Sequence, residues 1–301
     1  MQMDWVLVAV AGAAETRLSA LAASAVNVAG GKAGAWTALA EGAPLHAGFL
    51  PFAGSADEAA ALRQQIETAG PVDAAIMPAA RFGRKRLLIS DMDSTIIGQE
   101  CIDEIADAVG LKAKISEITE RAMRGELDFE AALTERVSML KGLPLGALAR
   151  TLEERITLNP GARTLIATMK AHGARTLLVS GGFTYFTSRV AELAGFESHQ
   201  GNTLIDDGAA LTGEVGRPIL GREAKRTALI EAAAALGAGP EESIAMGDGA
   251  NDLDMIRASG LGVAYKAKPV VAAEATGAIR HTDLTAALFF QGYKASEFVR
   301  G

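Results

Sequence analysis

Cysteine occurs once in the 301 residues, so no disulfide can staple this chain. Histidine occurs four times, at His46, His172, His199 and His281, too scattered for a histidine-rich metal site. These four read as surface or loop residues. No histidine near Cys101 in the sequence would activate its thiol, so Cys101 reads as buried and inert. Aromatic residues make up only 5% of the chain. No apolar run approaches the ~20 residues that a membrane-crossing helix needs, so no membrane partner is expected. Basic residues do not dominate either. A net charge of −7 argues against an extended nucleic-acid footprint. The start, Met1-Gln2-Met3-Asp4, lacks the basic opening of a signal peptide, and a soluble cytoplasmic protein is the expectation.

What is present is an apolar content of 49%, enough for a substantial core. Abundant alanine and glycine favour close packing of helices on a sheet. Residues 1–80 read as a small unit of their own. Strands are expected at 5–10, 35–40, 46–52 and 72–77, with helices at 15–23 and 56–68. That β-α-β-β-α-β order suggests a ferredoxin-like sandwich. Residues 78–86, with a proline, a glycine and basic residues, read as a linker. From 87 onward strands alternate with helices. Candidate strands at 87–90, 175–180, 243–246 and 262–265 argue for a parallel sheet covered on both faces, in a second domain over 81–301. Asn159-Pro160 reads as the start of a helix and Gly173 as its stop. Between 95 and 159 only helical periodicity appears, at 100–109, 115–124, 129–140 and 145–155. A helical insertion over about 98–158 would cap the carboxyl ends of the strands, where a lid belongs. Residues 203–205 and 209–215 read as a β-hairpin flap around Asp206-Asp207-Gly208.

Chemistry concentrates at the strand ends. Arg86-Leu87-Leu88-Ile89-Ser90-Asp91-Met92-Asp93-Ser94-Thr95 carries a short apolar strand into two acids and two hydroxyls. An acidic helix cap would explain one acid, but not the pair with its hydroxyls. Three further clusters follow: Ser180-Gly181-Gly182 after a strand, Lys225 early in a helix, and Gly247-Asp248-Gly249-Ala250-Asn251-Asp252 after another strand. Taken singly, the Gly-Asp-Gly would be a turn and Lys225 a solvated helix residue. An open α/β sheet would gather all four at one edge. Two carboxylates ~4 Å apart repel by roughly 4 kcal/mol at an effective dielectric near 20. Asp91, Asp93, Asp248 and Asp252 together therefore call for a counter-charge, and all-oxygen ligands point to Mg²⁺. Lys225 adds a fixed positive charge. Ser180 and the glycine-rich backbone beside it offer donors to an anion. The set describes phosphoryl transfer. Asp91 can attack a phosphoryl group and form an acyl phosphate. Asp93 can protonate the leaving alkoxide and then activate water.

These four motifs resemble those of the haloacid dehalogenase superfamily, and within it the phosphoserine phosphatase family, over about residues 87–288. The resemblance implies an α/β fold with a Rossmann-like parallel sheet, a helical cap and a β-hairpin flap, preceded by an ACT-like domain. It implies Asp91 as nucleophile and Mg²⁺ ligand, and Asp93 as general acid/base, with its backbone carbonyl on the metal. Asp248 becomes the third protein ligand, with Asp252 in the surrounding shell. Ser180, Gly181, Lys225 and Asn251 hold the phosphate. In the cap, Glu100 takes the substrate ammonium and Arg136 its carboxylate, with Met123 and Phe129 as an apolar wall. Outside that resemblance, Glu100 and Arg136 would be solvated helix residues, and Met123 and Phe129 plain core. The substrate so implied is the small molecule O-phospho-L-serine, hydrolysed in the last step of serine formation. The first domain has three candidate roles: to pair subunits in a homodimer, to bind a regulatory amino acid, or only to stabilise the chain. The alternatives are another small-molecule phosphatase or phosphomutase of the superfamily and a phosphoaspartate receiver. A dinucleotide-binding protein is disfavoured, because no Gly-x-Gly-x-x-Gly follows the first core strand.

Overall fold

The computed structural model describes residues 4–12, 17–41, 44–123 and 126–301. The side chains of Gln64, Glu67, Thr68, Glu120, Ala122 and Met123 lie outside that description. The chain opens with β1 (Trp5–Gly12), α1 (Leu18–Val28), β2 (Lys32–Ala33), β3 (Thr37–Ala40), β4 (Leu45–Ala53), α2 (Ala56–Ala69) and β5 (Val72–Pro78). The helix expected at 15–23 lies three to five residues further on, and 15–16 fall outside the described residues. After β6 (Leu87–Ser90) come α3 (Cys101–Ala108), α4 (Lys112–Met123), α5 (Phe129–Ser138) and α6 (Leu145–Arg155). Then α7 (Ala162–Ala171), β7 (Arg175–Phe183), α8 (Thr184–Ala194) and β8 (Ser198–Asn202) return to the sheet. The hairpin β9 (Leu204–Asp206) and β10 (Leu211–Val215) precedes α9 (Arg222–Ala235). Last are β11 (Ser243–Gly247), α10 (Leu253–Ala258), β12 (Leu261–Tyr265), α11 (Pro269–Glu274), β13 (Gly277–Ile279) and α12 (Ala286–Phe289).

Among the described residues, eleven strands join in one sheet, in the order β2-β4-β1-β5-β13-β12-β11-β6-β7-β8, with β3 also paired to β4. Strands β13, β12, β11, β6, β7 and β8 are parallel. Every residue of β6, β11 and β12 is buried, as expected for strands covered on both faces. Register sets the business end of this sheet. Ser90 of β6 pairs with Leu178 of β7 and Met246 of β11, so Asp91, Ser180 and Asp248 all emerge at one edge.

The N-terminal strands are antiparallel, with β1 between β4 and β5. The period-2 alternation of β1 feeds two cores. Leu7, Ala9 and Ala11 pack with the helices α1 and α2, while Val6, Val8 and Val10 join the large core that includes Leu288, Phe290 and Tyr293. At its outer edge β5 pairs antiparallel with β13, which makes the sheet continuous. A buried carboxylate secures that seam. Asp73 of β5 accepts the backbone N–H groups of Arg280, His281 and Thr282, and the Thr282 hydroxyl.

Two differences from the sequence reading concern the site's approaches. Helix α7 begins at Ala162, capped by Gly161 at φ 83°, and not at Asn159-Pro160. The Asn159 side chain instead donates to the Thr95 carbonyl, 2.8 Å away, tying the return from the cap to the acid loop. Strands β8 and β13 were not expected at all. The residues of β8, Ser-His-Gln-Gly-Asn, contain no apolar side chain, and β13 is three residues long.

Candidate active site

Asp91 stands directly after β6 and its backbone N–H bonds the Met246 carbonyl, which locks the acid loop to β11. One Asp91 oxygen accepts the Met92 N–H at 2.8 Å. The other lies 2.8 Å from Lys225 Nζ. That ammonium, in the first turns of α9, also donates to Asp252 Oδ1 at 2.6 Å. Asp252 Oδ2 accepts the N–H groups of Asp248 and Gly249. Gly247 is required here, because a Cβ would lie 2.4 Å from the Asp252 carboxyl group. Asp248 accepts the Thr95 hydroxyl at 3.3 Å.

Carboxylate oxygens of Asp91, Asp248 and Asp252 all come within 4.8 Å of one another. One ammonium touching the two buried acids, Asp91 and Asp252, with half-buried Asp248 beside them, leaves negative charge uncompensated. The consequence is visible in their proton affinities. Burial and the Asp252 carboxylate push Asp91 well above the usual range, against the pull of Lys225. Burial, Asp252 and Glu100 push Asp248 up to about 6. Burial alone would lower Lys225, but Asp91 and Asp252 outweigh it and hold the ammonium charged. An all-carboxylate donor set short of positive charge fits a hard divalent cation such as Mg²⁺. Of the three, Asp252 is the most heavily engaged, taking Lys225 and the N–H groups of Asp248 and Gly249, against two protein donors at Asp91 and the Thr95 hydroxyl at Asp248, so Asp91 and Asp248 are the better placed to face a metal.

Asp93 is turned away from that trio. Its Oδ1 accepts the Cys101 N–H at 2.9 Å, at the start of the first cap helix. Its Oδ2 is 3.4 Å from the Ser180 hydroxyl. Burial and the Glu100 carboxylate push Asp93 up to about 7, which suits a group that must both give and take a proton near neutrality. Between the acids and the cap, Ser94 holds φ 54°, uncommon for a residue with a side chain. Its hydroxyl donates to Glu100 at 2.6 Å, which ties Glu100 to the acid loop, close enough for its charge to raise Asp93 and Asp248.

Over this floor sits the cap of α3–α6. Its entry and exit at 96–99 and 157–159 are cross-bonded, Gln99 to Thr157 and Asn159 N–H to the Ile96 carbonyl. Arg136 lies within electrostatic reach of Asp103 and Glu100, and burial lowers its guanidinium. The Phe129 ring rests on Gly181 and Gly221. Met123 ends α4, and its side chain lies outside the described residues. The Asn251 side chain folds back over Gly249. Thus Asp91, Asp93, Asp248, Asp252, Ser180 and Lys225 meet at one edge of the sheet, with Glu100 bonded into their loop. Cys101 is buried and its thiol is raised by burial.

Two participants escaped the sequence reading. Thr95, read only as a hydroxyl beside the acids, holds Asp248. Asn202 bridges two loops around the anion turn, and nothing in a lone Gly-Asn signals that.

A parallel sheet with a helical cap, and acids, serine and lysine converging at its carboxyl edge, defines a hydrolase of phosphoryl-transfer type. The haloacid dehalogenase-like hydrolase family profile matches residues 88–257, and the chain belongs to that family. It is 47% identical over 199 residues to the phosphoserine phosphatase of Albidiferax ferrireducens, covering 64% of this chain and 84% of that one. Its fold resembles a HAD family hydrolase from Salmonella enterica serovar Typhi, with TM-score 0.84, 31% identity, and coverage of 95% and 98%. A phosphoserine phosphatase solved as a phospho-aspartyl intermediate analogue is also similar, with TM-score 0.62, 38% identity, and coverage of 68% and 98%.

Proposed function

We propose that this chain is a Mg²⁺-dependent phosphoserine phosphatase, converting O-phospho-L-serine and water into L-serine and phosphate through an aspartyl-phosphate. The observation that carries the reading is the Asp91 carboxylate pinned against Lys225 within the acid trio. Asp91 and Asp248, with the Asp93 backbone carbonyl, would hold the cation. When bound, that cation neutralises phosphate oxygens and draws charge from the acid cluster. Lys225 and the Ser180–Gly181 turn bind the remaining phosphate oxygens. Asp91 attacks phosphorus as Asp93 gives its proton to the serine oxygen. Asp93 then takes a proton from the water that attacks the acyl phosphate. Phosphate leaves and Asp91 is regenerated.

Substrate choice rests on the cap. Glu100 offers a carboxylate to the substrate ammonium, and Arg136 a planar fork to its carboxylate. By the family resemblance, Met123 and Phe129 would form the apolar wall, and Asn251 would support the phosphate. A sugar phosphate would leave that pair of charges unanswered. A receiver module preserves its acyl phosphate, whereas Asp93 acting as general base would speed its hydrolysis. The setting we infer is the cytoplasm, at the end of serine formation; no described helix is long and apolar enough to cross a membrane.

The test is phosphate release from a panel of phosphorylated metabolites, with and without Mg²⁺. The expected outcome is preference for phosphoserine, abolished by thorough chelation and restored by Mg²⁺. Equal rates on sugar phosphates, or rates indifferent to chelation, would overturn the reading.

A further inference from the structure

We propose that Asn202 is a positioning residue for the phosphatase reaction: its buried side-chain amide holds the Ser180–Gly182 anion turn in register with the segment that leads Lys225 into the site. This rests on the phosphatase reading and adds a residue that the four motifs do not contain.

The argument starts from the ladder between β7 and β8. Val179 pairs with Gln200 and Phe183 with Asn202, so three residues of β7 stand opposite one of β8. Those three are Ser180, Gly181 and Gly182. Such a bulge re-aims side chains, and here it throws the anion turn out at the edge where Asp91 emerges. A bulge gives up ladder bonds, so something else must hold it. Asn202, 1% exposed, occupies the last position of β8. Its Nδ2 donates to the Gly181 carbonyl at 2.8 Å and to the Leu220 carbonyl at 3.2 Å. Its Oδ1 accepts the Leu220 N–H at 2.7 Å. This pattern fixes the amide's orientation, since the flipped form would set its oxygen against two carbonyls.

Leu220 immediately precedes Gly221, the residue that caps α9, and Lys225 stands in the opening turns of that helix. One side chain therefore spans the two phosphate-binding elements, the serine turn and the lysine helix. The same two loops also receive the cap. The Phe129 ring packs against Gly181 and Gly221, at 3.2 and 3.3 Å from where their Cβ atoms would be. Asn202 thus sets the spacing of the floor on which Phe129 rests.

Asn202→Asp is the sharp test, because it keeps the shape and turns a donor into an acceptor facing two carbonyls. Inorganic phosphate is titrated into the Mg²⁺-loaded wild type and variant by calorimetry, and phosphoserine kinetics are measured beside it. Phosphate affinity should fall, and KM rise, about tenfold or more, as for a buried hydrogen bond reversed in sign. The kcat should hold within about threefold, and the Mg²⁺ midpoint for thermal stabilisation within about twofold, because Asn202 does not touch the acid trio. Phosphate affinity unchanged within about twofold would overturn the proposal, as would an Mg²⁺ midpoint that shifts in parallel, which marks general loosening. If the Asp variant does not fold, Asn202→Ser is read by the same criteria, its hydroxyl being too short to span both loops. Phosphate binding needs no turnover. A wild type that binds phosphate but spares phosphoserine therefore defeats the substrate reading and leaves the Asn202 comparison standing.

Discussion

Carboxylates occupy two places in this one sheet, and they are treated in opposite ways. At the seam between β5 and β13, Asp73 is 1% exposed and receives three backbone N–H groups and a hydroxyl. At the carboxyl edge, Asp91, Asp248 and Asp252 crowd within 4.8 Å around one ammonium, and the first two are pushed toward protonation. The first acid is satisfied by the fold alone. The second set is organised for charge that the fold does not supply. A structural carboxylate can thus be told from a functional one by its unmet demand for positive charge, and burial alone does not separate them.

The largest effects would break this comparison from both sides. Asp91→Asn should lower kcat by about 10⁴-fold or more, as losing a nucleophile does. The metal-free variant should be no less stable than the wild type, because a repelled charge has gone. Substantial residual turnover would remove Asp91 as nucleophile, and a large loss of stability would place it with Asp73. Asp73→Ala should do the reverse. Removing the acceptor of these part-buried hydrogen bonds should cost about 2 kcal/mol in urea unfolding, with kcat of the folded fraction unchanged. An Asp73→Ala protein of wild-type stability would mean that the seam is not held as described.

A smaller effect separates the floor from the cap. Arg136→Ala should reduce kcat/KM for phosphoserine about a hundredfold, the loss of a charged bidentate contact. An aryl phosphate without a carboxylate should lose far less. Equal losses on both esters would sink the clamp and leave Arg136 as a packing residue.

How far the residues announced all this follows the same division. Strands β6, β7, β11 and β12 were legible because burial on both faces leaves a continuous apolar run, and three of them lead into residues that do chemistry. Cap helices were legible from their period. The seam was not. Asp73 sits among apolar residues of β5 and its partners are backbone groups some two hundred residues away, which no local pattern encodes. Nor was β8, whose polar residues form the edge of the sheet, or Asn202, whose role comes from a three-residue bulge on its neighbour. Asn159 misled for a related reason: a good capping residue was drawn into a longer-range bond to Thr95.

The finest effect tests the unmet charge itself. Asp248 and Asp93 are raised to about 6 and about 7, above the value near 4 of an unfolded carboxylate. A raised carboxyl holds its proton more tightly folded than unfolded. Its stabilising share is therefore complete below about pH 4 and is lost as pH climbs through the folded value, at no more than about 1.4 kcal/mol per pH step of one. Metal-free protein should accordingly lose stability between about pH 4 and 7 from these two acids. Mg²⁺ bound at these acids would compete with those protons, so its stabilisation should run the other way, small at pH 5 and growing to a plateau near pH 8. Thermal unfolding at several pH values, with and without Mg²⁺, reads both slopes at once. In Asp73→Asn, the pH-dependent part of the Mg²⁺ response should persist, because that acid faces backbone donors and no cation. A Mg²⁺ increment that stayed flat across the range would mean that the acids at the sheet edge are as satisfied as Asp73, and the contrast between the two sites would be lost.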